Sequence, residues 1–409
     1  MHFSNLSRPA LVPTLLSTAA VLGSFAAPSF GQVSTMQTPG MPVPTAGQTT
    51  RFENDFNPAI GLVFDFFASY TDAEDDDFDG FDIDLRSAEL TGAAWVDPTA
   101  WAYSAIVFAG DEVELEEAAV LYTGFDGNET LRVGRFFVDF GKQMQAHEHA
   151  LRTPDRPAVL AELLGEELGG DGVQFDHWFT AGDDTIVRYS VGAFASLISH
   201  EHGEEEGEEG PEAESLERPD ADELAFTARL TGFTSLTDQQ TLQLGASWRG
   251  IPEFEFHDEE NDAEAEGLSN HVYGVDVTWA WTDPTETETW TFGGEYLISD
   301  GDLSAETIEP VPGTFELDVL NDEAHGFYVF GDYAWDSANS AGLQFSTVEV
   351  AEAGLEDMDQ IDLYYTRNVS EFQRLRFAIT QTEMAGDEDL RFGVQYTAFL
   401  GPHAHGVNF

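Results

Sequence analysis

From Pro58 to Leu400 one pattern recurs, with apolar and polar residues alternating at period two in runs broken by turn residues. Sixteen runs can be delimited, at 58–70, 80–96, 100–109, 113–123, 129–138, 172–180, 185–195, 223–233, 241–249, 271–282, 287–299, 325–335, 339–349, 360–368, 372–382 and 390–400. In 241–249, Leu242, Leu244, Ala246 and Trp248 share one face, with Gln243, Gly245, Ser247 and Arg249 on the other. In 271–282, Tyr273, Val275, Val277, Trp279 and Trp281 oppose Gly274, Asp276, Thr278 and Ala280. Only a strand places i and i+2 on one face, so the chain reads as all-β.

The connections narrow the class further. Seven links are short (97–99, 124–128, 181–184, 234–240, 283–286, 336–338 and 369–371) and carry Asp-Pro, Asp-Gly-Asn and Gly-Asp turn chemistry. The links between them are mostly long: 71–79, 110–112, 139–171, 196–222, 250–270, 300–324, 350–359 and 383–389. Those eight hold 50 of the 77 acidic residues and the short turns hold 9. Short turns on one rim and long acidic loops on the other predict a transmembrane antiparallel β-barrel of about 16 strands, turns periplasmic and loops extracellular. A secreted sandwich or propeller also has many strands, but nothing in it requires links that alternate short and long. Aromatics at the strand ends (Tyr70, Trp95, Trp101, Trp178, Trp248, Trp281, Trp290, Trp335) fit interfacial girdles and equally fit ordinary strand-favouring positions.

The first segment sets the compartment. Arg8 precedes an apolar run from Ala10 to Ala27, and Ser29 and Gly31 are small residues at −3 and −1 of a cut before Gln32. Residues 1–31 therefore read as a secretory signal peptide, 32–57 as a flexible Pro/Gly/Thr-rich leader, and 58–409 as the barrel. With 77 Asp+Glu against 16 Lys+Arg the net charge is −61, which repels phosphate backbones and excludes ordinary nucleic-acid partners. There is no cysteine, hence no disulfide framework and no thiolate metal site. No G-x-S-x-G elbow, H-E-x-x-H pair or phosphate-cradling glycine loop is present, so the reading is of a chain that is not an enzyme. The same acidity also suits a saline habitat.

Sixteen strands with a long third loop resemble the trimeric general porins and the phosphate-selective porins. The segment 134–172, GRFFVDFGKQMQAHEHALRTPDRPAVLAELLGEELGGDG, together with the His-containing tail 401–409, resembles the zinc-regulated outer-membrane porin-like proteins of Gram-negative bacteria. The resemblance implies a location in the bacterial outer membrane, a third loop that bends into the barrel and a homotrimer. Phosphate-selective members line their channel with lysines and arginines. This chain has one lysine, Lys142, so that selectivity does not transfer.

Opposite the apolar faces stand Arg132, Arg188, Arg229, Arg249, Arg374, Arg376 and Arg391, with acids including Asp65, Asp82, Asp84, Glu114, Glu116, Asp276, Glu295, Asp332 and Asp362. They are candidates for lining a pore, either as a transverse field or as cross-strand ion pairs that keep a wet lumen soluble. Loop 139–171 is the candidate constriction, with Lys142, His147, Glu148, His149, Arg152, Asp155 and Arg156, and a short amphipathic helix over 157–168. It either enters the barrel or lies over its mouth.

Histidine pairs with neighbouring acids suit loosely held Zn²⁺: His147 with His149, His200 with His202, and His403 with His405. Residues 200–214 equally fit a solvated, salt-adapted arm. The run from Asp75 to Arg86 fits a Ca²⁺ loop at Asp75, Asp77, Asp79 and Gly80, but Arg86 stands where the bidentate acid belongs. No resident cofactor is expected. The function read from this sequence is passive diffusion of small hydrophilic solutes or ions, biased toward cations, and the alternative is an outer-membrane protein whose His/Glu loops capture divalent metals.

Overall fold

The computed structural model describes residues 58–73, 79–110, 112–165, 167–182, 184–197, 219–258, 261, 263–311, 314–350 and 357–401, with the backbone of 212–214. The segments read as signal peptide and leader, and Asp75 and Asp77 of the calcium-loop reading, lie outside the described residues. So do four of the histidines read as zinc ligands, His200, His202, His403 and His405.

Strands β1 (Ala59–Asp72), β2 (Gly80–Asp97), β3 (Ala100–Ala109), β4 (Glu112–Tyr122), β5 (Glu129–Phe137), β6 (Gly169–Thr180) and β7 (Thr185–Phe194) form the first half of one sheet. A three-residue strand, β8 (Glu212–Glu214), pairs with β10. The second half is β9 (Ala225–Thr237), β10 (Gln240–Asp258), β11 (Ala263–Thr282), β12 (Thr289–Val311), β13 (Thr314–Asp336), β14 (Asn339–Glu349), β15 (Asp357–Ser370), β16 (Gln373–Met384) and β17 (Asp387–Leu400). Each barrel strand pairs antiparallel with its sequence neighbour, β7 passes directly to β9, and β17 returns to β1 through Leu62↔Leu400 to Asp72↔Leu390. Sixteen strands thus close a barrel, which removes every edge.

Burial is inverted relative to a water-soluble protein. Val191, Leu230, Leu244, Val275, Leu343 and Leu363 are exposed on the outer face, whereas Arg188, Gln243, Asp276, Gln344 and Asp362 are buried on the inner one. An apolar band outside and a polar wall inside is what lipid demands of a closed sheet. Each run read from the sequence coincides with a barrel strand. The ends differ most at 250–270 and 300–324, read as loops, where β10–β11 and β12–β13 continue as paired hairpins. Some of their acids interrupt the apolar residues singly, as in Glu253-Phe254-Glu255-Phe256, which keeps a strand pattern there; Phe254, Phe256 and Leu268 turn inward.

The girdle reading of three tryptophans is corrected. Trp95 pairs with Trp101, which is buried and stacks on Tyr103, and Trp178 pairs with the inward Arg188. All three therefore stand on the inner face near the short-turn rim, where parity along each strand puts them. Trp290 and Trp335 remain exposed outside.

Candidate functional site: the segment inside the barrel

Between β5 and β6 the chain leaves the wall. Residues 138–168 contain a 3-10 turn at Glu148–Ala150 and one helix, α1 (Ala158–Leu164), and nearly all of the segment is buried. Pro157 precedes α1 with a φ near that of a helix start, and Gly165 (φ +79) ends it in a conformation that favours glycine. The helix packs against β12, β13, β14 and β15. Its Val159, Leu160, Leu163 and Leu164 join Phe136, Val138, Phe140, Met144, Phe254, Val272, Leu297, Tyr328 and Phe330 in one apolar cluster within the barrel. The amphipathic pattern of 157–168 thus has its partner in inward aromatic and aliphatic residues of the wall, some of them on the hairpin extensions.

A strand-free segment at this depth leaves backbone groups that must find partners. Wall side chains supply them. Ser247 accepts from Gly141 N at 3.0 Å, Glu295 from Lys142 N at 2.6 Å, Gln360 from Ala158 N at 2.8 Å and Ser346 from Val159 N at 3.1 Å. In the other direction Arg374 donates to the His149 carbonyl, and Arg376 donates to the carbonyls of Leu151 and Thr153. Gly141 (φ +54) makes the entry turn; a Cβ there would lie 2.1 Å from Glu295 Oε2, so the close approach requires glycine.

Among the described residues, the arginine-centred ion pairs of the interior fall into three groups. The first is an alternating chain, Asp176–Arg188–Asp139–Arg229–Asp276, with Arg188 Nη1 2.7 Å from Asp139 Oδ2 and Arg229 Nη1 2.7 Å from Asp276 Oδ2. Burial works against charge on Asp139, but Arg188 and Arg229 outweigh it and hold the carboxyl below its usual range. Lys142 adjoins this chain, its Nζ donating to Gln243 at 3.2 Å. Burial pushes its ammonium down to about 8, with Asp276 and Glu295 opposing and Arg152 and Arg229 adding to the shift.

The second group joins Asp65, Arg86, Glu148, Asp155 and Arg391, with Arg86 2.7 Å from Asp65 and 2.8 Å from Glu148. Arg86 is the extra residue of a β-bulge, since Asp65 pairs with Ser87 and Phe66 with Leu85. The supposed twelfth position of a calcium loop is therefore a cation held by the barrel wall. In the third group Arg152 pairs with Asp332 and lies 3.7 Å over the Phe330 ring, while Tyr364 donates to Asp332 at 2.6 Å.

The remaining candidates have other surroundings. Arg132 is buried over the Phe136 ring at 5.0 Å, Arg249 donates to Asn270, and Glu295 accepts from Tyr328 at 2.5 Å. Arg156 donates to the carbonyls of Gln143 and Ala146 and braces the segment itself. Glu114 is half-buried near the long-link end of β4.

Of the six histidines read as metal ligands, the described residues include His147 and His149; His200, His202, His403 and His405 fall outside them. His147, His149 and Glu116 come together with two acids that sequence reading passed over, Glu89 and Glu117. Alternation assigns Glu116 inward and Glu117 outward. A bulge overrides this, because Ala105 pairs with Glu117 and Ile106 with Leu115, and both glutamates end up buried. The bulge at Arg86 likewise reverses parity along β2 and turns Glu89 inward. Glu116-Glu117 as a doublet inside a strand was the available signal.

No family model matches the chain. Among curated proteins, an uncharacterized protein of Aquifex aeolicus (strain VF5) is 25% identical over 334 residues, covering 78% of this chain and 68% of that one. Solved structures with a similar fold include an anion-selective porin from Comamonas acidovorans (TM-score 0.53, 10% identity, 84% of this chain and 99% of that one). Pseudomonas putida OprB superposes with a TM-score of 0.53 at 12% identity, over 84% and 94% of the two chains. The outer-membrane channel DcaP of Acinetobacter baumannii gives 0.53 at 11% identity, over 86% and 99%. At these identities the likeness is one of fold, the outer-membrane porin barrel, and with the apolar outer band it places the chain in a bacterial outer membrane.

Proposed function

We propose that this barrel is a porin, a passive diffusion channel for small hydrophilic solutes or ions, narrowed by the segment 138–168. The observation that carries the reading is the wall-to-segment network. Side chains from β10, β12, β14, β15 and β16 satisfy the segment's backbone and hold it at a fixed position within a polar lumen. A barrel serving only as a membrane anchor has no need of a charged interior crossed by a braced segment.

We read the channel as biased toward cations. The lumen charges are largely matched by partners of opposite sign, whereas the long-link rim carries the excess acids, and negative potential focused at a mouth raises local cation concentration. The Comamonas barrel is described as anion-selective; a chain at −61 argues for the opposite preference here. The homotrimer implied by resemblance to general porins belongs to the same reading, and crosslinking in mild detergent tests it.

Planar-bilayer recording with reversal potentials under a KCl gradient tests the function. The expected result is discrete open steps and a reversal potential of cation-selective sign. A folded, heat-modifiable barrel that gives no conductance steps and no solute flux into liposomes would refute the channel.

A further inference from the structure

We propose that Glu89, Glu116 and His147 bind one divalent transition-metal ion at the inner wall, where the segment 138–168 meets β2 and β4. One ligand atom from each side chain lies within 4.8 Å of the other two. Nδ1 of His147 is 2.8 Å from Glu116 Oε2 and 3.3 Å from Glu89 Oε2. Atoms bound at about 2.0–2.2 Å around a tetrahedral ion stand roughly 3.3–3.6 Å apart, so small side-chain movements admit a cation between them.

Three features separate this cluster from a surface patch of acids. The first is burial: the side chains of Glu89, Glu116 and His147 are 2%, 5% and 3% exposed, and Glu117 and His149 beside them are equally enclosed. Three carboxylates crowd two imidazoles here out of water, with Arg132 near Glu117 as the neighbouring cation, and a divalent ion adds positive charge where the acids converge. The second is the bulge that aims Glu116 into the cluster. Its Oε2 is buried and faces Nδ1 of His147, so a metal ion bound there would take the place of the proton between them.

The third is the support behind the imidazole. Nε2 of His147 lies 3.2 Å from Glu117 Oε2, and Glu117 Oε1 accepts from the Tyr103 hydroxyl and from Phe137 N, each at 3.2 Å. A carboxylate so placed orients the ring with Nε2 toward Glu117 and Nδ1 toward two carboxylate oxygens. The carboxylate–histidine–metal relay has this layout. His149 Nδ1, 3.3 Å from the shared Glu89 oxygen, is in reach of a fourth position. Two nitrogens with two oxygens favour Zn²⁺ or a similar ion over Ca²⁺ or Mg²⁺, which take oxygen ligands.

An ion here would join two wall strands to the segment through a single side chain. The inference does not depend on channel activity, because binding is read without conductance. The test uses the full barrel folded in detergent, stripped with EDTA and titrated with ZnCl₂ by calorimetry, and with CoCl₂ by visible spectroscopy. Wild type should bind one Zn²⁺ per barrel and show a Co²⁺ d–d spectrum. Glu116→Gln and Glu89→Gln should each lower the affinity more than about tenfold and abolish that spectrum, and Glu117→Gln, behind the ligand, should weaken binding about 10- to 100-fold. Heat-modifiable migration confirms that each variant is folded, and either of the two ligand variants suffices if the other does not assemble. Absence of stoichiometric binding to the folded wild type overturns the proposal. So does weak multi-site binding that Glu116→Gln leaves unchanged, which would place the metal on the acidic rim.

Discussion

Arg376 on β16 donates through Nη1 to the carbonyl of Thr153 at 3.0 Å, across a sequence separation of 223 residues. Its i−2 neighbour Arg374, on the same face, donates to the carbonyl of His149. Two guanidiniums on one strand thus grip carbonyls of the segment inside the barrel. Their positive charge is fixed by the backbone they hold as much as by any ion they would meet.

Replacing both, Arg374→Gln with Arg376→Gln, should therefore release the segment before it alters electrostatics. Hydrogen bonds from charged donors contribute about 1.5–3 kcal/mol each. We expect an assembled, heat-modifiable barrel with larger and noisier conductance steps in 0.15 M salt. Steps of wild-type size and noise would show that these arginines do not hold the segment.

Gly141→Ala tests the entry turn. The added methyl would meet Glu295 Oε2 at 2.1 Å in a backbone with φ +54, so the segment must shift or the Glu295–Lys142 contact must break. A lower melting temperature in detergent is expected. Gly232→Ala, where a Cβ meets nothing within 4 Å, is the matched control and should melt like wild type.

Leu160→Ala probes the apolar cluster within the barrel. Leu160 is fully buried, and removing such a side chain costs about 2–5 kcal/mol. Leu230, 54% exposed on the outer face, should tolerate alanine with a far smaller change. Equal effects on the thermal midpoint would mean that the interior cluster adds nothing to stability.

Lys142 gives a pH dependence. Burial brings its ammonium down to about 8 from 10.5, with Asp276 on β11, Glu295 on β12, Arg229 on β9 and Arg152 in the segment as the charged groups facing it. Between those values the folded barrel holds fewer protons than the unfolded chain, so Lys142 raises stability as pH climbs through that window. Across pH 8 the lumen also loses one positive charge. Reversal potentials should shift toward cations as pH rises through that value, and Lys142→Met should remove the shift. An undiminished shift in that variant would assign the titration elsewhere.

The sequence by itself determined the strands, the two rims and the facing of most wall positions. Leu363 outward and Asp362 inward on β15 follow from a period-two rule that needs only neighbouring residues. The tertiary structure alone decided where that rule breaks and what the interior segment touches. Bulges at Arg86 and Glu116 reverse parity because one extra residue in one strand faces a partner strand that lacks it, and pairing is not written locally. Lys142 meets Glu295 153 residues away, and Arg374 reaches His149 across 225. Barrel closure brings such groups within hydrogen-bond distance, and burial then requires that their polar atoms be matched, a demand visible only once the wall surrounds them.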